Sequence, residues 1–171
     1  KIKNLYFLFD FQNKNLLKKS KEQNKKENLI CYSHKSNDFI QLLKRITNTK
    51  FIELRGFTPK QLIKIFKKSK IYIDFGYHPG KDKMPREASL FDNCIITNLK
   101  GSAENKFDIP INKQFKFKQN YNDINKINSI TDLLFQNYKK NIGRFSNYKK
   151  KVLNEEKIFK KQLLAIFSKK K

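Results

Sequence analysis

Glycine and proline are scarce in this chain, five and four in 171 residues, and tryptophan is absent. That scarcity excludes collagen-like, elastic and Pro/Gly-rich disordered classes. Only two cysteines occur, Cys31 and Cys94, each within an apolar strand-like run and without CxxC or Cys/His spacing. Neither a disulfide framework nor a zinc finger is implied; both read as small core residues, which fits a reducing cytoplasm. No stretch approaches the ~20 apolar residues that span a bilayer, and no charged-then-apolar leader with a small-residue cleavage site opens the chain. A chain that starts at Lys1 instead reads as a fragment or a processed product. Arginine is also rare, at positions 45, 55, 86 and 144 alone, although Lys and Arg together number 39 against 15 Asp and Glu. The formal net charge of +24 would draw in phosphates, nucleic acid or an anionic membrane. Specific phosphate and base recognition leans on guanidinium, however, and the 35 lysines come with 19 asparagines, a mixture AT-rich codons supply unselected. Charge alone therefore does not make a nucleic-acid footprint.

What is present is an alternation of β and α patterns. An apolar run at 5–11 reads as a strand, and 12–28 as a basic linker. From there the pattern predicts strand 29–32, helix 37–46, strand 51–54, helix 58–68, strand 71–75, a short helix 85–91, strand 94–97 and a short strand at 115–117. Helix starts are marked by Ser36, Asn37 and Asp38, and by Thr58-Pro59. A helix through Ile124–Leu134 follows, and then an amphipathic tail spaced by Tyr138, Ile142, Phe145, Val152, Phe159, Leu163 and Ile166. The expected architecture is α/β, a doubly wound parallel, Rossmann-like sheet with a long helical tail. Three segments are expected: 1–28 as strand and linker, 29–137 as the Rossmann-like domain, and 138–171 as a basic helix. The strands at 71–75, 51–54, 29–32 and 94–97 should lie side by side in that order.

Chemistry gathers where the strand at 71–75 ends. Gly76, Pro79 and Gly80 break it, and Lys81, Asp82, Lys83, Arg86 and Glu87 follow. Pro85 can take the first helical position, leaving backbone N–H groups near Arg86 and Glu87 for an anion. The next strand ends in Lys100-Gly101-Ser102-Ala103-Glu104, a second small-residue loop. His78 reads equally as a base or sugar contact and as an inert turn residue. Asp74 is more simply explained as a carboxylate tied to a loop N–H, and Asp82 can belong to an ion-pair network. Glu104 can meet a ligand or cap a short helix. Lys35 also sits at a carboxyl edge, but one lysine among 35 carries little weight.

The stretch 51–111 resembles the carboxyl-terminal, donor-binding half of GT-B glycosyltransferases, through Gly56-Phe57-Thr58, Pro85-Arg86-Glu87-Ala88 and Gly101-Ser102-Ala103-Glu104. More narrowly, YIDFGYHPGKDKMPREAS followed by GSA and DIPI is similar to bacterial glycosyltransferase-like proteins of surface-polysaccharide synthesis. The resemblance implies a nucleoside diphosphate sugar as donor, transferred without a metal cofactor, in the cytoplasm or at the inner membrane surface. It implies that His78 and Glu87 serve catalysis, and that Lys81, Arg86, Gly101, Ser102 and Glu104 hold the donor. Glu87 matches the later of the two glutamates such enzymes use, while Pro79 stands at the earlier one. An amino-terminal acceptor domain, or a partner chain, would complete the enzyme. A non-catalytic nucleotide or phosphosugar-binding module is the alternative. A charge-driven nucleic-acid or membrane-surface protein is the weakest reading.

Overall fold

The computed structural model describes residue 8, residues 10–22 and residues 25–168. The strand expected at 5–11 falls largely outside them. The segment read as an irregular linker contains a short helix, α1 (Lys14–Lys19), which Asn13 caps by accepting the Asn15 N–H at 2.8 Å. Leu16 is its buried anchor, with Leu17 half-buried beside it, too few apolar residues to make a periodic pattern.

Five strands, β1 (Glu27–Ser33), β2 (Lys50–Leu54), β3 (Ser69–Asp74), β4 (Cys94–Asn98) and β5 (Lys116–Phe117), form one sheet in the order β2-β1-β3-β4-β5. Every pairing is parallel. The expected fold class is thus what the chain adopts, a doubly wound Rossmann-like α/β sheet with a long helical tail. The strand order differs from expectation, because β3 inserts between β1 and β4 and leaves β2 at the edge. Polarity explains this. β2 carries Lys50 and Glu53 and is only half-buried, whereas β1 and β3 present near-continuous apolar runs that only a central position covers on both faces.

The connecting helices are α2 (Asn37–Ile46), α3 (Pro59–Lys68) and α4 (Lys83–Leu90). α3 begins with a full capping box, Thr58 and Gln61 bonding each other's backbone N–H, with Pro59 at the first position as expected. α4 starts two residues earlier than the sequence suggests. Asp82 is its flanking residue, and Pro85 occupies the third position, where a missing N–H is equally harmless. α5 (Tyr121–Gln136) packs beside α2 on one face of the sheet. The tail is broken into α6 (Tyr138–Asn141), α7 (Ser146–Leu153) and α8 (Glu155–Phe167). α7 lies against α4 and buries Tyr148 and Val152 there, so the tail's first half is part of the core. No described helix is long and apolar enough to cross a membrane.

Candidate functional site

In a sheet of this order the chain leaves β1 toward one side and β3 toward the other, so their carboxyl ends diverge and open a crevice. The β1 end is a single tight turn, His34–Ser36, which leads into α2. Ser36 Oγ accepts the Phe75 N–H at 2.7 Å and ties the two diverging loops together. Gly76 is obligatory here: a Cβ would sit 2.4 Å from Lys35 Cβ.

The loops after β3 and β4, by contrast, do not enclose a crevice. β3 and β4 are neighbours, and their pairing simply continues outward. His78 and Gly101 form a further parallel bridge, the Ser102 N–H donates to the His78 carbonyl at 2.8 Å, and the Ser102 hydroxyl donates to the Gly80 carbonyl. Gly101 adopts φ 61°, and a Cβ there would fall 2.0 Å from the His78 oxygen. This loop is braced from below by Lys116, whose buried ammonium donates to the carbonyls of Ala103 and Asn105 and whose pKa burial pulls down to about 8. The Ser102 N–H is therefore spent inside the protein, and Glu104 is exposed beyond it.

Lys81 and Arg86 are likewise engaged. The Arg86 guanidinium, 3% exposed, holds Glu155 of α8 at 3.0 Å and Asp10 at 2.6 Å. The Lys81 ammonium lies 2.7 Å from the other Glu155 oxygen. Burial works against the Arg86 charge, but hydrogen bonding to Asp10 and the charges of Glu155 and Asp10 outweigh it and raise its pKa. These two cations bind the tail and the amino-terminal segment to α4. Nothing in the sequence marks Glu155 as their partner, 69 residues from Arg86.

Glu87, one turn into α4, is 9% exposed at its side chain, with the Lys83 ammonium 3.4 Å away. Burial pushes its carboxyl above the usual 4.5, and the charges of Lys83 and Arg86 only partly offset this. It borders a cleft of about 600 Å³ among α1, α3 and α4, floored by Leu16 and Ile63. His78 is fully buried and meets only carboxylates, Asp82 at Nδ1 and Asp74 toward Nε2.

The crevice at the β1/β3 divergence is centred on a residue that composition discounted, Lys35. It borders two clefts. One, of about 400 Å³, is lined by Ser36, Asp38, Phe39, Lys100, Gln119 and Tyr121. The other, of about 310 Å³, includes His34, Gly56, Asp74, Asp82 and Lys83. Among the described residues neither Lys35 nor Lys100 has an ion-pair partner, and Tyr121 is 80% exposed. Gln119 holds a left-handed backbone at φ 66°, which a glutamine adopts only under constraint. Its amide supplies that constraint, donating to the Phe75 carbonyl at 3.1 Å and accepting from Asn98 at 3.2 Å. The arrangement can hold an anion between lysines beside an aromatic platform. Comparison with protein-family models, with curated proteins and with solved structures finds no match.

Proposed function

We propose that this chain is the donor-binding half of a GT-B-type glycosyltransferase, which takes a nucleoside diphosphate sugar in the synthesis of bacterial surface polysaccharide or lipopolysaccharide. The observation that carries the reading is the position of Lys35 at the divergence of β1 and β3, between two clefts that Lys100 and Lys83 flank on either side. Ligands of open parallel sheets bind at such a point. The nucleoside lies in the larger cleft against Tyr121, the diphosphate at Lys35, and the sugar toward Lys83 and Glu87 of α4. Lysine ammonium groups at the diphosphate stabilise the negative charge that builds as the nucleoside diphosphate departs. Glu87, poorly solvated and held above its usual pKa, suits a contact with sugar or ribose hydroxyls. An amino-terminal acceptor domain or a partner chain completes the enzyme, working in the cytoplasm or at the inner membrane surface.

Calorimetry against uridine, guanosine, adenosine and cytidine diphosphates and their sugars tests this. A charge-assisted contact is worth about 1.5–3 kcal/mol, so Lys35→Ala should weaken diphosphate binding by roughly tenfold or more. No detectable binding, or binding indifferent to Lys35→Ala, overturns the assignment. One observation favours a second reading, a binding module without transfer: His78, the only histidine in the loop after β3, is fully buried and out of a donor's reach. Binding without transfer to candidate acceptors, once the partner domain is supplied, would decide for it.

A further inference from the structure

Asp74, His78 and Asp82 stand four residues apart, the first ending β3, the second in the loop, the third flanking α4. The loop folds so that one ligand atom from each lies within 4.8 Å of the other two. His78 and Asp74 are 0% and 4% exposed at their side chains, and Asp82 is 22% exposed. In a chain with 35 lysines, neither carboxylate forms an ion pair with a Lys or Arg among the described residues; the ionisable side chains beside them are the imidazole and the Tyr72 phenol. That imidazole has no aligned hydrogen bond at either nitrogen, although Nδ1 is 2.6 Å from Asp82 and Nε2 3.7 Å from Asp74. Each ring nitrogen thus faces a carboxylate oxygen, Nδ1 that of Asp82 and Nε2 that of Asp74, with the imidazole itself fully buried. Something positive belongs between them.

We propose that Asp74 and the His78 Nε2, with Asp82 orienting the imidazole from Nδ1, form a site for a divalent metal ion of the Zn²⁺ or Mn²⁺ class. Bonds of about 2.0–2.2 Å to nitrogen and oxygen span the 3.7 Å from Nε2 to Asp74 Oδ1 at an angle of roughly 125°, within the range of a four-coordinate ion. An imidazole nitrogen beside a carboxylate, with water at the open positions, suits these borderline ions, where an all-oxygen set would suit Mg²⁺ or Ca²⁺. The surroundings are those of a ligand set. Tyr72, fully buried, donates its hydroxyl to Asp74 Oδ2 at 2.6 Å, and the Gly76 N–H donates to Oδ1 at 3.0 Å, so the first carboxylate is oriented from behind. Asp82, though it flanks α4, makes no side-chain cap to that helix and turns to His78 instead. Asp74 and Asp82 both border the 310 Å³ cleft, through which water reaches the open coordination positions. The ion would pin the loop between β3 and α4. The site borders the same cleft as the proposed donor site, but its metal binding is tested without any donor.

The test uses the full chain, stripped with chelator and titrated with Zn²⁺ and with Mn²⁺ by calorimetry, with Mn²⁺ spin resonance as a second readout. One ion per chain is expected. His78→Ala should abolish it, while His34→Ala, which removes the only other histidine, should leave it unchanged. Tyr72→Phe removes only the hydroxyl that orients Asp74 and should weaken metal affinity about 10–100-fold. It also serves if His78→Ala fails to fold. In nitrogen-15 spectra of the imidazoles, Zn²⁺ should displace the His78 Nε2 resonance. No stoichiometric binding by a folded chain, binding lost with His34 in place of His78, or a His78 resonance protonated at both nitrogens and indifferent to Zn²⁺ each overturns the proposal.

Discussion

Removing the Glu155 carboxylate should cost the protein a large share of its stability, whereas removing its neighbour Glu156 should cost almost nothing. Glu155 and Arg86 are each 3% exposed at their side chains and 3.0 Å apart, and Lys81 meets the same carboxylate. Breaking a buried pair by deleting one partner costs about 3–5 kcal/mol, because the surviving charge is left in a poorly solvated place. Here Asp10 remains against Arg86, itself 62% exposed, so Glu155→Ala should fall lower, at about 2–4 kcal/mol. Glu156 pairs with Lys160 and Lys14 at the surface, where solvent screening leaves such pairs with little effect on stability. Against a domain stability of about 5–15 kcal/mol the first loss is large and the second negligible. Urea unfolding followed by circular dichroism measures it; with a slope of about 1–3 kcal/mol per molar, the midpoint should drop by roughly 1–2 M in Glu155→Ala. A variant pairing Arg86→Met with Glu155→Leu should recover much of the loss, since apolar side chains of similar volume leave no charge stranded. If Glu155→Ala and Glu156→Ala unfold at the same midpoint, the cluster does not dock the tail, and Arg86 is free for other work.

Glu87→Gln should leave stability at neutral pH unchanged or slightly higher while impairing sugar recognition. The native carboxyl holds its proton more tightly than the unfolded one, so its contribution is present below the usual 4.5 and is lost as pH rises through the raised native value. The melting difference between variant and wild type should accordingly vanish near pH 4 and widen above it; a difference that shrinks with pH refutes the assignment. Gly101→Ala, strained at φ 61° and blocked by the His78 carbonyl, should destabilise by about 2–3 kcal/mol in thermal melts. Gly80→Ala meets no atom within 4 Å and should stay within about 0.5 kcal/mol, so equal losses at the two sites would contradict the close packing of the loops. Cys31 and Cys94 are fully buried, with thiols that burial pushes up to about 12, and neither should react with a disulfide reagent at pH 8 until the chain unfolds.

The elements of the fold were legible because their signals are local. Asn37–Ile46 is bounded as its apolar spacing predicts, and Thr58-Pro59 opens α3 as its chemistry requires. Strand order was not read, although a signal existed: Lys50 and Glu53 in a five-residue strand mark an edge, and weighing them would have moved β2 outward. That one exchange of neighbours relocates the candidate site. With β3 and β4 adjacent and β1 on the other side of β3, the loops carrying His78 and Gly101 zip together, and the crevice opens at Lys35 instead. Local sequence cannot make this choice, since Lys35 and Lys81 are both lysines that follow a strand. What separates them is a carboxylate 74 residues beyond Lys81. Glu155 and Asp10 already surround Lys81 and Arg86, so a diphosphate arriving there must first displace two negative charges, one of them buried. No ion pair among the described residues holds Lys35 or Lys100, so a dianionic ligand there breaks none, although Asp38, Asp74 and Asp82 border the same clefts. That difference outweighs the closer match of Arg86 to a family motif.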